Sequence, residues 1–137
     1  MKKLLELISE EMQQAFEAAG YKKELGKVTV SNRPDLCEYQ CNGAMPLAKE
    51  AHKAPLQIAE EVCSFLKDSK SFSLAEAVKP GFINLNITGN FLSDYVNQMA
   101  IADKFGYEEE ENPVKVLVDY GGPNVAKPLH VGHLRSA

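Results

Sequence analysis

The chain has 137 residues, of which 45% are hydrophobic and 25% are charged, and its net charge is −4. This length and composition are typical of a globular protein with one ordinary domain. The acidic balance excludes broad, nonspecific nucleic-acid binding, which depends on many phosphate contacts, so we expect any RNA contact to be local. Since no segment approaches the ~18 apolar residues of a membrane span, we expect a cytoplasmic protein without membrane association.

The first part of the chain is predicted to be a helix followed by two short strands. Residues 3–19 carry apolar side chains at i, i+3 and i+4 spacing, and Gly20 stands where such a helix should end. Val28–Val30 is predicted to be a strand because it is short and rich in β-branched residues. A turn cluster at 31–35 separates it from a second predicted strand at 36–40.

The middle of the chain is predicted to contain two helices and then a strand pair. Residues 44–50 form a short predicted helix, and a clearer one begins at Pro55. The apolar stripe predicted for the second helix consists of Ile58, Ala59, Val62, Phe65 and Leu66. Residues 72–78 and 82–87 are predicted strands joined by the turn residues Pro80 and Gly81.

A last helix is predicted to begin after Thr88, whose hydroxyl is suited to an N-cap, and to end at Gly106. Its predicted core face consists of Phe91, Leu92, Tyr95, Val96, Met99 and Phe105. This mixture of neighbouring strands and helices predicts an α+β domain over residues 1–106, with an antiparallel sheet covered on one face by helices. The acidic run that follows predicts a solvated linker over residues 107–112.

The three cysteines are Cys37, Cys41 and Cys63. An odd number without export signals is not typical of a disulfide framework. Cys37, Cys41 and His52 are the residue types that bind metals, but their spacing fits no compact zinc pattern. We therefore predict free thiols that are buried or half-buried, and no metal site.

The last 25 residues carry the clearest chemical pattern. The β-branched run 114–118 predicts a strand, and a loop rich in Gly and Pro leads from it to His130, Gly132 and His133 at a predicted helix start. A helix N-terminus attracts phosphate, and imidazoles at this point can donate hydrogen bonds to phosphoryl oxygens. Gly132 leaves room for a flat adenine ring, and Lys127 adds a mobile positive charge. The pattern predicts phosphoryl or nucleotidyl transfer by positioning and charge stabilisation.

Residues 119–136 closely resemble the first signature of arginyl-tRNA synthetases, which are class I enzymes with a Rossmann-type catalytic domain. Residues 39–49, 55–61 and 80–85 are similar to the N-terminal domain of the same family. The resemblance implies an N-terminal additional domain at 1–106. It also implies the first strand and truncated helix start of the catalytic domain at 113–137.

The resemblance implies an arginine–tRNA ligase, in which ATP with Mg²⁺ is a substrate rather than a tightly bound cofactor. Arginine is activated as arginyl-adenylate and is then transferred to tRNA(Arg). The residues it assigns to ATP are Lys127, His130, Gly132 and His133, and all of these except Gly132 are catalytic. Asn124 is assigned to the arginine backbone and Asp119 to the guanidinium, a pairing that a carboxylate makes bidentately. Gly121 and Gly122 depart from the serines common in the family.

The resemblance also assigns tRNA contacts near the D-loop to Lys79, Phe82 and Asn84. An exposed Phe can stack on a splayed base and an Asn can read its edge. Phe82 could instead be a core residue of an alternating strand.

We expect a monomer that does not aminoacylate by itself, and we expect 113–137 to be disordered or to pair with a neighbouring molecule. Two rivals stay open: another nucleotidyltransferase with the same histidine motif, and a stand-alone RNA-binding module.

Overall fold

The computed structural model describes residues 1–107, 109, 111–118, 128 and 130–136, with the backbone alone for 133, 134 and 136. These residues form two units, Met1–Tyr107 and Glu108–Ala137. Each unit is described by itself. No helix among the described residues is both long enough and apolar enough to cross a membrane.

Helix α1 spans Leu4–Ala18, which confirms the predicted N-terminal helix. It ends because Gly20 adopts a φ of +83°. The N–H of Gly20 donates to Glu17 O at 2.9 Å and the N–H of Tyr21 donates to Phe16 O at 2.9 Å. This pair of bonds is a Schellman motif, which satisfies carbonyls that the helix end would otherwise leave open.

A four-stranded antiparallel sheet follows, in the spatial order β1-β2-β4-β3. Its strands are β1 (Val28–Val30), β2 (Tyr39–Cys41), β3 (Phe72–Val78) and β4 (Phe82–Ile87). Strand β2 lies further along the chain than the predicted 36–40, whereas β1, β3 and β4 have the predicted bounds. Two helices connect β2 to β3, namely α2 (Ala44–Ala51) and α3 (Pro55–Ser64).

The core lies between the helices and one face of the sheet. Ile8, Met12 and Phe16 of α1, Ile58 of α3 and Leu85 of β4 are all 0% exposed. Burying a side chain of this kind stabilises a fold by roughly 1.5–3 kcal/mol. The sequence pattern therefore identified the buried faces of α1 and α3 correctly, with one exception described next.

The predicted stripe of α3 is wrong at Phe65, which is 54% exposed. Phe65 is the C-cap residue after α3 (Pro55–Ser64) and is not a member of the core cluster, whereas the neighbouring Leu66 is buried.

Helix α4 (Gly89–Ile101) begins as predicted, because Thr88 Oγ1 accepts from the N–H of Phe91 at 3.2 Å. Its predicted core face is confirmed only at Phe91, which is half-buried and packs against the core cluster, and α4 has no fully buried residue. Leu92 is 42% exposed and Val96 is 44% exposed. A periodic apolar pattern shows which side of a helix is apolar, but not whether anything covers it.

The two ends of the first unit meet. The N-terminal ammonium of Met1 donates to Gly106 O at 3.0 Å, and Tyr95 Oη donates to Lys2 O at 3.2 Å. Gly106 has a φ of +75°, and a Cβ at this position would lie 2.7 Å from Met1 Cβ. Glycine is therefore required where the chain leaves the unit.

In the second unit, residues 113–118 have no regular secondary structure, so the strand predicted at 114–118 is not formed. Val114 is 84% exposed and Leu117 is 92% exposed. A single strand needs neighbouring strands to satisfy its backbone and to cover its side chains. Helix α5 spans Val131–Ser136, close to the predicted helix start.

Candidate nucleic-acid interface

The turn between β3 and β4 is held against helix α3. The N–H of Gly81 donates to Val78 O at 2.9 Å. A Cβ at Gly81 would lie 2.4 Å from Pro55 Cβ and 2.9 Å from Pro55 C, and Gly81 has a φ of +155°. Only glycine allows this approach, so the first turn of α3 fixes the position from which β4 starts.

Strand β4 presents alternate residues to opposite faces of the sheet. Ile83 and Leu85 are 0% exposed and belong to the core. Phe82, Asn84 and Asn86 therefore lie on the other face, which we call the open face. Phe82 is half-buried, and the core cluster formed by the described residues does not include it. The open face thus carries an aromatic ring at the start of β4 and two amides beyond it.

A row of polar side chains crosses the middle of the open face. The strand registers place Thr29, Gln40, Asn84 and Glu76 opposite one another across β1, β2, β4 and β3. Gln40 Nε2 donates to Asn84 Oδ1 at 2.9 Å, and Asn84 is 7% exposed. Gln40 was not among the predicted site residues, because its alignment with Asn84 depends on pairing between strands that are distant in sequence.

The far end of β4 is fixed by a reciprocal pair of hydrogen bonds. The N–H of Glu38 donates to Asn86 Oδ1 at 2.9 Å, and the N–H of Ile87 donates to Glu38 Oε2 at 2.9 Å. With the turn at Gly81 held at the other end, β4 is fixed at both ends. A rigid strand lowers the entropic cost of binding a ligand across its side chains.

The charges around the open face are mixed. Lys79, one residue after β3, is exposed, and so are Glu38 and Glu76. This arrangement provides no broad positive field, and a ligand would be bound by stacking and hydrogen bonding more than by charge. Lys79 is the cation nearest in sequence to Phe82, from which the turn residues Pro80 and Gly81 separate it.

A second polar cluster lies away from the sequence-predicted residues. Lys53 Nζ donates to Glu61 Oε1 at 2.9 Å and to Tyr21 Oη at 3.1 Å, and the Tyr21 hydroxyl donates to Glu61. The hydrogen bonds from Tyr21 and then Lys53 lower the pKa of Glu61. The cluster connects helix α3 with the loop that follows α1, and its role is to stabilise the fold.

In the second unit, His130 stands directly before α5. The N–H of Gly132 donates to His130 Nδ1 at 3.1 Å. A neutral imidazole that accepts at Nδ1 carries its proton at Nε2. A Cβ at Gly132 would lie 2.8 Å from His130 Cε1, so glycine leaves room for this ring.

The other predicted residues of the nucleotide site are not described. Asp119, Asn124 and Lys127 lie outside the described residues, and so does the side chain of His133.

The three cysteines are free thiols, with Cys37 and Cys41 buried and Cys63 half-buried. Burial is the largest cause that raises the pKa of Cys63, to about 12, and the nearby Cys41 adds to it. Burial likewise raises the pKa of Cys41. Thiols in this state are poor nucleophiles and poor metal ligands, because both roles require the thiolate.

Two family models match the chain. Residues 2–87 match the arginyl tRNA synthetase N terminal domain, and residues 95–137 match the class I (R) tRNA synthetase catalytic domain. The second match begins within α4, before the predicted linker.

Curated relatives extend the comparison to the whole chain. The arginine–tRNA ligase of Agathobacter rectalis is 55% identical over 138 residues, which cover 100% of this chain and 23% of the relative. That of Alkaliphilus oremlandii is 52% identical, with the same coverage of 100% and 23%. The chain thus spans about a quarter of the length of the curated relatives it matches.

Two solved structures of arginyl-tRNA synthetases are similar to this chain in fold. The arginyl-tRNA synthetase of Thermus thermophilus is 26% identical with a TM-score of 0.57, covering 97% of this chain and 21% of that one. The synthetase of Plasmodium falciparum is 26% identical with a TM-score of 0.55, covering 94% and 26%.

Proposed function

We propose, since this chain belongs to the arginyl-tRNA synthetase N-terminal domain family, that it acts within an arginine–tRNA ligase and contacts the D-loop corner of tRNA(Arg). The reaction would activate arginine with ATP, release pyrophosphate and transfer arginine to the tRNA 3′ end. The match of residues 2–87 favours this function over another nucleotidyltransferase with the same histidine motif. The match of residues 95–137 favours it over a stand-alone RNA-binding module.

The observation that carries the tRNA contact is the position of Phe82 and Asn84 on the open face. Residues i and i+2 of a strand are roughly 6.5 Å apart on the same face. One nucleobase stacked on Phe82 therefore has an edge within reach of the Asn84 amide. Sheets that bind single-stranded RNA use the same combination of an aromatic ring and a neighbouring polar side chain.

Lys79 completes this contact. It stands just before the turn that leads into Phe82, is exposed, and is long enough to hold the phosphate of the stacked nucleotide. A single lysine gives a weak, local electrostatic contribution, which agrees with the net charge of −4. Selectivity for a splayed base would come from stacking and hydrogen bonding.

The nucleotide site is proposed on the second unit. His130 and His133 would contact the phosphates of ATP, Gly132 would pack on adenine, and Lys127 would neutralise developing charge. The bond from Gly132 to His130 Nδ1 supports this role for His130, because it fixes the imidazole beside the first turn of α5. Arginine would be held by Asn124 and Asp119, and Mg²⁺ would accompany ATP as it does in phosphate chemistry generally.

An amide NMR titration of this chain with a tRNA(Arg) transcript tests the RNA contact. We expect shifts at residues 79–84 and at Gln40, and we expect them to disappear when the D-loop is replaced. Phe82→Ala should weaken binding about five- to hundredfold, the range for losing one stacked base. Phe65→Ala is the matched control, since Phe65 is an exposed Phe directly after α3, outside the open face.

Equal weakening by Phe82→Ala and Phe65→Ala would contradict the assignment. So would shifts that avoid β4 altogether. The absence of any shift at near-physiological salt would mean that this unit does not bind tRNA by itself, and the roles of Lys79, Phe82 and Asn84 would be withdrawn.

A further inference from the structure

Gln40 occupies the centre of β2, directly opposite Asn84 in the strand register. Both side chains lie on the open face, and Gln40 is half-buried while Asn84 is 7% exposed. Gln40 Nε2 donates to Asn84 Oδ1 at 2.9 Å. Rotating the Asn84 amide alone by 180° would bring two N–H groups together, so the orientation of Asn84 is coupled to that of Gln40.

This bond determines which atoms the pair presents to a ligand. Asn84 has one acceptor oxygen and two N–H donors, and the oxygen is the atom turned toward Gln40, which bonds to one of its two lone pairs. Among the described residues, no protein atom forms a hydrogen bond with Asn84 Nδ2 or Gln40 Oε1. Neither atom is fully buried without a partner. The pair therefore presents a donor from Asn84 beside an acceptor from Gln40.

Glu76 favours the same orientation from the other side. The register places it opposite Asn84 on β3, and its carboxylate is exposed. A carboxylate accepts hydrogen bonds and repels a carbonyl oxygen, so it favours an Asn84 amide whose NH₂ group is turned toward it. Gln40 on β2 and Glu76 on β3 thus favour the same orientation of the Asn84 amide.

We infer that Gln40 is a positioning residue that makes Asn84 a hydrogen-bond donor toward the nucleotide on the open face. This inference rests on the proposed tRNA contact. It adds which kind of hydrogen-bonding group the recognised edge of the nucleobase must carry. The nucleobase must set a carbonyl oxygen or ring nitrogen against Asn84 Nδ2.

Amide exchange in the RNA-free chain tests the orientation directly. In the labelled chain, one Nε2 proton of Gln40 should exchange with solvent more slowly than those of an exposed glutamine such as Gln98, and more slowly than either Nδ2 proton of Asn84. In Gln40→Glu, the new carboxylate only accepts, so one Asn84 Nδ2 proton should exchange more slowly than it does in the unchanged chain. An Asn84 Nδ2 proton that exchanges more slowly than both Gln40 Nε2 protons in the unchanged chain would overturn the inference.

Binding of a tRNA(Arg) transcript tests the consequence. Gln40→Leu should weaken binding roughly five- to tenfold, the effect of one neutral hydrogen bond. Gln40→Glu should weaken it further, because Asn84 then presents its oxygen. Thr29→Glu is the matched charge control, since it adds the same charge in the same row, one strand further from Asn84.

A double-mutant cycle separates positioning from direct contact. If Gln40 acts only through Asn84, then Gln40→Leu should weaken no further a chain that already carries Asn84→Ala. Additive losses would overturn the positioning role. If the unchanged chain does not bind tRNA, the proposed function fails, and the exchange measurement still decides the orientation of Asn84.

Discussion

Replacing Gly81 with alanine tests how the turn before β4 is held. The new Cβ would lie 2.4 Å from Pro55 Cβ and 2.9 Å from the Pro55 carbonyl carbon, at a backbone φ of +155°. Overpacking of this kind costs about 1–3 kcal/mol, and an unfavourable φ adds about 1–3 kcal/mol. We take about 3 kcal/mol as the expected loss, which lowers Tm by roughly 12–24 °C for a unit of this size.

Thermal unfolding followed by far-UV circular dichroism measures this loss, and two other glycines separate its causes. A Cβ at Gly89 meets no atom within 4 Å, so Gly89→Ala should leave Tm unchanged or slightly higher. A Cβ at Gly20 is equally free, but its φ is +83°, so Gly20→Ala should cost only about 1–2 kcal/mol. If Gly81→Ala melts no lower than Gly20→Ala, the contact with Pro55 does not constrain the turn and the argument is refuted.

Four further outcomes are expected. Thr88→Val should lower the free energy of unfolding in urea by about 1 kcal/mol, because the hydroxyl that caps α4 and donates to Lys70 O at 2.7 Å is lost; an unchanged midpoint would mean that α4 forms without its cap. Cys63 should react with iodoacetamide at pH 8 at least about a hundredfold more slowly in the folded chain than in urea, because burial suppresses its thiolate; site-resolved mass spectrometry checks this, and equal rates would contradict it. Because the pKa of Cys63 is raised from 9.0 to about 12, its contribution to stability is complete below pH 9 and declines as the pH rises toward 12. The logarithm of tRNA affinity should fall with the logarithm of salt concentration with a slope of only about −1 to −2, since Lys79 is the one phosphate contact proposed; a slope steeper than about −4 would require a basic surface that the open face lacks.

Local sequence signals predicted the elements whose causes are themselves local. Helix α1 has an apolar face every third or fourth residue and a glycine at its end, and both features act within one or two turns. Strands β3 and β4 have the predicted bounds because the turn residues Pro80 and Gly81 separate two alternating segments. The thiols of Cys37 and Cys41 are buried in the structure. The odd number of cysteines and the lack of export signals had indicated buried or half-buried free thiols.

Features that depend on distant parts of the chain could not be predicted. The open face exists because β2 pairs with β4, and no local pattern aligns Gln40 with a residue 44 positions away. The apolar side of α4 was recognised, but whether anything covers it depends on other elements. The strand predicted at 114–118 carries the right residues, but none of the described residues of the second unit forms a strand, and sequence periodicity does not report pairing.

The contact between Met1 and Gly106 has a consequence for chain connectivity. Because the first and last turns of the N-terminal unit are joined by a hydrogen bond of 3.0 Å, a linker of a few residues would connect residue 106 to residue 1 without moving either. New ends opened in the exposed 31–35 turn would then give a circular permutant with the same sheet, the same core and an unchanged open face. In such a permutant β1 and β2 are no longer adjacent in the chain, so their pairing depends on strand contacts alone.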